Sequence, residues 1–123
     1  MKKIVFLMLV SFATVSLHAQ LAKTKWKGTL QLDNPVDVIF DFGKDSLSVS
    51  VVENSAGLET MLFTDKDGVL SINKVYGQSD CDTQATGKYK YEIKGEELLL
   101  TLVSDDCPNR SQVLDKTKWT KAK

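Results

Sequence analysis

From Lys25 onward, apolar residues recur at every second position and turn residues interrupt them at short intervals, which predicts an all-β domain. Lys25 to Leu32 alternates Trp26, Gly28, Leu30 and Leu32 with Lys25, Lys27, Thr29 and Gln31. Val36 to Phe42 sets Val36, Val38, Phe40 and Phe42 against Asp37, Ile39 and Asp41, and Ser46 to Val52 sets Leu47, Val49 and Val51 against serines. Two less regular strands follow, Leu58 to Thr64 and Val69 to Val75. Lys88 to Ile93 is regular again, with Tyr89, Tyr91 and Ile93 on one face. Glu97 to Val103 is apolar on both faces, and a last strand from Lys116 to Lys121 carries Trp119. The expectation is eight strands, with a short helical turn from Arg110 to Leu114 before the last, capped by Asn109.

The connections sort into two kinds. Phe42-Gly43-Lys44-Asp45, Asp65-Lys66-Asp67-Gly68 and Lys94-Gly95-Glu96 read as tight hairpin turns, with Gly available for positive φ. Asp33 to Pro35, Glu53 to Gly57, Tyr76 to Thr86 and Ser104 to Gln112 are longer. The two kinds alternate without exception, as they must in an up-and-down meander whose alternate connections share an end. One end is therefore closed by tight turns and the other carries the loops. No linker, repeat or low-complexity stretch divides the chain, so one domain with one core is expected over residues 20–123.

The segment before that domain has its own logic. Lys2 and Lys3, the apolar run Ile4 to Val10, and Leu17-His18-Ala19 before Gln20 have the form of a signal peptide over residues 1–19, cleaved after Ala19. The apolar run is too short to serve as a membrane anchor. The expected product is exported, to the periplasm or the extracellular space. His18, the one histidine, lies in that leader, so the mature chain lacks the commonest general base and metal ligand. Cys81 and Cys107 reach an oxidising compartment and are expected to form a disulfide, both lying in loops at the same end. Loss of Lys2 and Lys3 leaves 14 basic against 16 acidic residues, a balance that gives no nucleic-acid footprint.

Trp26-Lys27-Gly28 on the first strand, Cys81 through Gly87-Lys88-Tyr89, and Asp105-Asp106-Cys107-Pro108-Asn109-Arg110 leading to Trp119 resemble the lipocalin-like, or calycin, barrels of small secreted bacterial proteins. The resemblance spans nearly all of the mature chain and implies an eight-stranded antiparallel up-and-down barrel. The rival immunoglobulin sandwich asks for a Trp between the two cysteines, and neither Trp lies there.

Several constellations have plainer readings. Asp65-Lys66-Asp67-Gly68 resembles part of a calcium loop, but Phe63 and Lys74 occupy the positions of the first and last ligands, so a hairpin turn is expected. Asp80, Asp82, Asp105 and Asp106 are drawn together by the disulfide into an acidic cluster, read as solvated loop charge. Lys25, Lys27, Lys116 and Lys118 should face outward on the adjoining first and last strands, with Asp37 and Asp41 offsetting them. No catalytic constellation, cofactor or metal site emerges, and a non-enzymatic role is expected.

An eight-stranded barrel is just wide enough to be filled by side chains or to hold one small ligand. The expected role is binding of a small apolar or amphipathic molecule through the loop end. The candidate ligand-binding residues are Val51, Leu58, Tyr76, Tyr89 and Val103 near the mouth, with Leu32 and Val36, and Phe40 and Tyr91 deeper. Trp26 and Trp119 are expected to cluster at the tight-turn end. The alternative is a filled barrel that binds an envelope or extracellular protein, as an interaction or inhibitor module.

Overall fold

The computed structural model describes residues 20–123; the expected signal peptide lies outside them. Eight strands form a closed antiparallel barrel in chain order. They are β1 (Lys25–Gln31), β2 (Pro35–Phe42), β3 (Ser46–Val51), β4 (Gly57–Lys66), β5 (Val69–Gly77), β6 (Thr86–Lys94), β7 (Glu97–Asp105) and β8 (Thr117–Lys121), with α1 (Pro108–Leu114) between the last two. Cys81 and Cys107 are disulfide-bonded. The expected all-β barrel, disulfide and helix are all present. At the β4–β5 turn the positive φ falls on Asp67 and Gly68 together, the pairing that suits a two-residue hairpin loop.

The inward positions of the alternating strands fill the middle of the barrel. Val38, Phe40, Phe42, Leu47, Leu70, Ile72, Tyr89, Leu98, Leu100 and both tryptophans are buried in one core cluster. Phe40 stacks on Trp119 at 3.9 Å, and Phe42 meets Phe63 edge to face at 5.0 Å. Trp26 pairs with Lys121 across the β1–β8 seam, which places Trp119 two steps along on the same inner face. Burying side chains of this size contributes about 1.5–3 kcal/mol each.

A short repeat organises both ends, and the reading that no repeat occurs is corrected. Leu21-Ala22-Lys23-Thr24-Lys25-Trp26 and Leu114-Asp115-Lys116-Thr117-Lys118-Trp119 share five of six residues. They also share a conformation. In each, the Lys before the Thr has positive φ, 63° at Lys23 and 59° at Lys116. The indole N–H donates to the Thr hydroxyl, at 2.8 Å for Trp26 and 2.9 Å for Trp119. Each hydroxyl then donates to the carbonyl of the leucine three residues earlier, Leu21 or Leu114, whose side chain is buried. The first copy enters from the tight-turn end and the second from the loop end. Lys116 therefore belongs to a turn and not, as expected, to the last strand. Lys118 is offset by Glu97 at 3.7 Å and Lys25 by Asp41 at 3.8 Å, while Asp37 accepts from the Thr29 hydroxyl.

Three register shifts break the regular ladder, and all lie toward the loop end. Leu58 in β4, Val75 in β5 and Val103 in β7 are the residues left over, between the paired positions Val49/Ser50, Thr60/Met61 and Lys88/Tyr89 respectively. Such an extra residue reverses which side chains point inward beyond it. Tyr76 is turned to the outer face, opposite Thr60, and is 67% exposed; Val103 is 57% exposed. The expected inward placement of Tyr76 is corrected on this ground, and that of Val103 because it is itself the extra residue, on the outward side with Leu99 and Thr101. In return the shift in β7 turns Asp105 into the barrel.

Candidate functional site

A cavity of about 690 Å³ opens at the loop end, within the range of small-molecule sites. Its apolar wall comes from inward positions of the strands, Leu30, Phe40, Val49 and Met61, with Leu58 from the irregular start of β4. Val113 and Leu114 of α1 complete that wall. The rim is polar, with Gln31 at the end of β1 and Asp33 after it, Gln78, Ser79 and Asp80 after β5, and Asn109 and Gln112 on α1. Glu59 and Arg110 also line it.

The helix is held in place by several ties. Pro108 opens it, a position at which the missing N–H costs nothing. Its cap is Cys107, which makes no side-chain capping bond, so the expected cap at Asn109 is corrected: that side chain donates to Asp80 at 2.6 Å. The disulfide fastens Cys107 to the β5–β6 loop, and Asp115 accepts from the Leu102 N–H at 2.9 Å. Gly87, beside Asp105 and Arg110, leaves the room they need, since a Cβ there would come within 2.6 Å of Asp105 and 2.9 Å of Arg110.

Arg110 makes the strongest tie. Its Nε and Nη2 donate to the two oxygens of Asp105 at 2.8 and 2.7 Å, and Nη2 also reaches the Ala85 carbonyl at 3.1 Å. The side chains are only 7% and 0% exposed. Two further donors complete Asp105, the Tyr89 hydroxyl and the Cys107 N–H. Burial favours a neutral Asp105, but the hydrogen bonds from Arg110, Tyr89 and Cys107 and the charge of Arg110 outweigh it, holding the carboxyl below its usual range. For Arg110 burial acts against the charge, and Asp105 overcomes it, so its pKa is raised. Tyr89 is pushed well above the ordinary phenol value by burial first and Asp105 second.

A second ion pair faces the same region. Lys74 and Glu59 lie 3.7 Å apart with both side chains mostly buried, Lys74 also donates to the Ser79 carbonyl, and the Ser79 N–H donates to Glu59 at 3.2 Å. Arg110 Nη1 and Glu59 Oε1 are buried without a hydrogen-bond partner. At the opposite end the arrangement is closed: Asp65 accepts from the Tyr91 hydroxyl and, at 2.9 Å, from the N–H of the fully buried Leu21.

Of the residues singled out from the sequence, the cavity brings together Phe40, Leu58 and Leu32. Val51 is half-buried opposite Val38 and Val36 packs against the core, both outside the lining. Tyr89 spends its hydroxyl on Asp105, and Tyr91 belongs to the closed end, so neither stands at a mouth. The expected acidic cluster is also corrected. Asp105 turns inward to Arg110, while Asp82 caps the Gln84 N–H and Asp80 holds Asn109. Asp80 lies near the sulfurs of Cys81 and Cys107, which are bonded to each other and offer no thiolate. Glu59, Lys74 and the Arg110–Asp105 pairing were not anticipated. The signal for Glu59 and Lys74 is a charge on the inward side of otherwise apolar strands. Comparison with family models, with curated proteins and with solved structures finds no match to this chain.

Proposed function

We propose that this protein is an exported, non-enzymatic carrier or sensor that takes one small amphipathic molecule into the loop-end cavity. The observation that carries the reading is the division of the barrel: aromatic side chains fill the middle, while Leu30, Phe40, Val49, Leu58 and Met61 line an open space beneath a polar rim. Apolar walls with a few placed polar groups are what small-ligand sites need. The closed set of hydrogen bonds at Asp105 favours a positioning role for that carboxylate over acid–base work.

Phe40 stacks on Trp119, so an occupant resting on Phe40 should change the indole emission. Titration with amphiphiles of graded chain length should give a saturable change that Val113→Trp, which narrows the cavity, abolishes. No saturable change with any chain length, or the same affinity in the narrowed variant, overturns the reading.

A second reading, a protein-binding module, is favoured by one observation. Leu62, 54% exposed, and Tyr76 lie on the outer face of β4 and β5 among Ser46, Ser48, Thr60 and Asn73, a surface without charge in that stretch. Leu62→Lys with Tyr76→Lys should then weaken capture of a protein partner while leaving amphiphile titration unchanged.

A further inference from the structure

We infer that the occupant of the cavity is a cationic amphiphile, an amine or quaternary ammonium group on an apolar body, selected by the charge of the mouth. The inference rests on the cavity reading and deepens it by the sign of the ligand's charge.

Charge is divided between the two ends of the barrel. The β1–β2, β3–β4 and β5–β6 loops carry Asp33, Glu53, Asp80 and Asp82, all exposed, and no Lys or Arg. The β7–β8 connection adds the exposed Asp106. Each tight turn at the other end holds or adjoins a lysine, Lys44, Lys66 or Lys94. A chain with equal numbers of acidic and basic residues thus presents an acidic mouth.

The cations near the cavity do not cancel that charge, because each has its own carboxylate. Arg110 is held by Asp105 with two-point geometry, and Lys74 by Glu59. Lys116, after α1, is exposed and lies outside the lining. Asp33 and Asp80 both line the cavity, and among the described residues neither has an ion-pair partner; Asp80 accepts from the neutral Asn109.

A cleft of one sign with low-dielectric walls concentrates ions of the opposite sign and repels its own. Leu30, Val49, Leu58 and Met61 form the wall beneath these carboxylates, so an apolar body can be buried while its ammonium group stays wet at the rim. A bare metal ion would gain nothing from that wall. Among the described residues the one group of three candidate metal ligands is Asp80 with Cys81 and Cys107, whose sulfurs are spent in the disulfide.

The test compares decyltrimethylammonium, decylamine, decanol and decanoate, which share an unbranched ten-carbon chain, each below its micelle concentration near neutral pH, where the amine is protonated. Binding is read from Trp emission and calorimetry. Each rim carboxylate contributes the modest gain of an exposed ion pair, so both cations should bind about tenfold more tightly than decanol at low salt, and decanoate about threefold or more weakly than decanol. At about 0.5 M salt the preference for the cations should shrink to about twofold. Asp33→Asn with Asp80→Asn should lower the ratio of decylamine to decanol affinity by about threefold or more at low salt. Asp45→Asn with Asp67→Asn makes the same change in net charge on exposed residues at the tight-turn end, and should leave that ratio nearly unchanged. Decanol or decanoate binding as tightly as the cations, or a preference that survives the rim variant, overturns the charge inference and leaves the cavity reading standing. Saturable binding by none of the four overturns both.

Discussion

Gly28 and Trp119 are matched across the β1–β8 seam: a Cβ built on Gly28 would lie 2.4 Å from Cε3 of the Trp119 ring, and the neighbouring ring atoms lie at 2.7 Å. The indole that stacks on Phe40 on one side therefore rests on bare backbone on the other.

Gly28→Ala should destabilise the barrel by about 1–3 kcal/mol through overpacking, read as a lower urea midpoint with unchanged slope. Trp119→Leu relieves the clash, so the double variant should be more stable than the two single losses predict, by about 1 kcal/mol or more. Strict additivity would show that the two side chains do not share that space.

Thr24→Val and Thr117→Val should have matching effects. Each removes a hydroxyl that accepts from an indole N–H and donates to a leucine carbonyl, leaving two groups unpaired at a cost of about 1–3 kcal/mol. Because the two copies enter from opposite ends, their losses should add to within about 0.5 kcal/mol. A neutral effect at one site in equilibrium unfolding would separate the copies energetically.

Acid should loosen the loop end through Asp105. Its folded pKa lies below the unfolded value of about 3.9, so between the two values the unfolded chain binds more protons and stability rises with pH. The contribution is complete above the unfolded value and is lost as pH falls through the folded one. Asp105→Asn should flatten that acid limb and, by leaving Arg110 buried without its counter-charge, cost about 3–5 kcal/mol at neutral pH. Parallel acid limbs in wild type and variant, from urea midpoints measured across the acid range, would assign the acid sensitivity to other groups.

Reduction of the disulfide should lower stability by about 3.5 kcal/mol in the chain-entropy view, since it closes a sequence separation of 26 residues. The loss should concentrate where Cys107 starts α1. Hydrogen exchange should rise first at Arg110 and Ser111, whose N–H groups donate to the Cys107 carbonyl, and later in the β1–β2 ladder. Uniform acceleration would mean that the bond stabilises the barrel as one unit.

The strands, their order and the alternation of tight and long connections were legible because a half-buried strand repeats every two residues. The mouth was not. Tyr76 follows the inward period of Leu70, Ile72 and Lys74 on paper, but the extra residue in β5 reverses it. Val103, in a strand apolar on both faces, is itself the extra residue in β7, and no local signal in Lys74-Val75-Tyr76 or Leu102-Val103-Ser104 announces either shift. The shift in β7 brings Asp105 to Arg110, so the pairing that anchors α1 was hidden for the same reason. The repeat was visible in the letters of Leu21 to Trp26 and Leu114 to Trp119, but its first copy begins before the alternation does. What it builds depends on two positive-φ lysines that composition does not signal.

The seam that closes the barrel joins β1 to β8 at only two paired positions, Trp26 with Lys121 and Lys27 with Thr120. In most ribbons so short a zipper would be the place where the cylinder peels open. Here each of the two seam strands is knotted at its own starting end by one copy of the repeat, and the knots lie at opposite rims. Peeling from either rim meets a buried leucine and an anchored indole before it reaches the weak stitching. Fraying should therefore begin elsewhere, at the irregular mouth formed by β4 and β5, which is also where an occupant would have to enter.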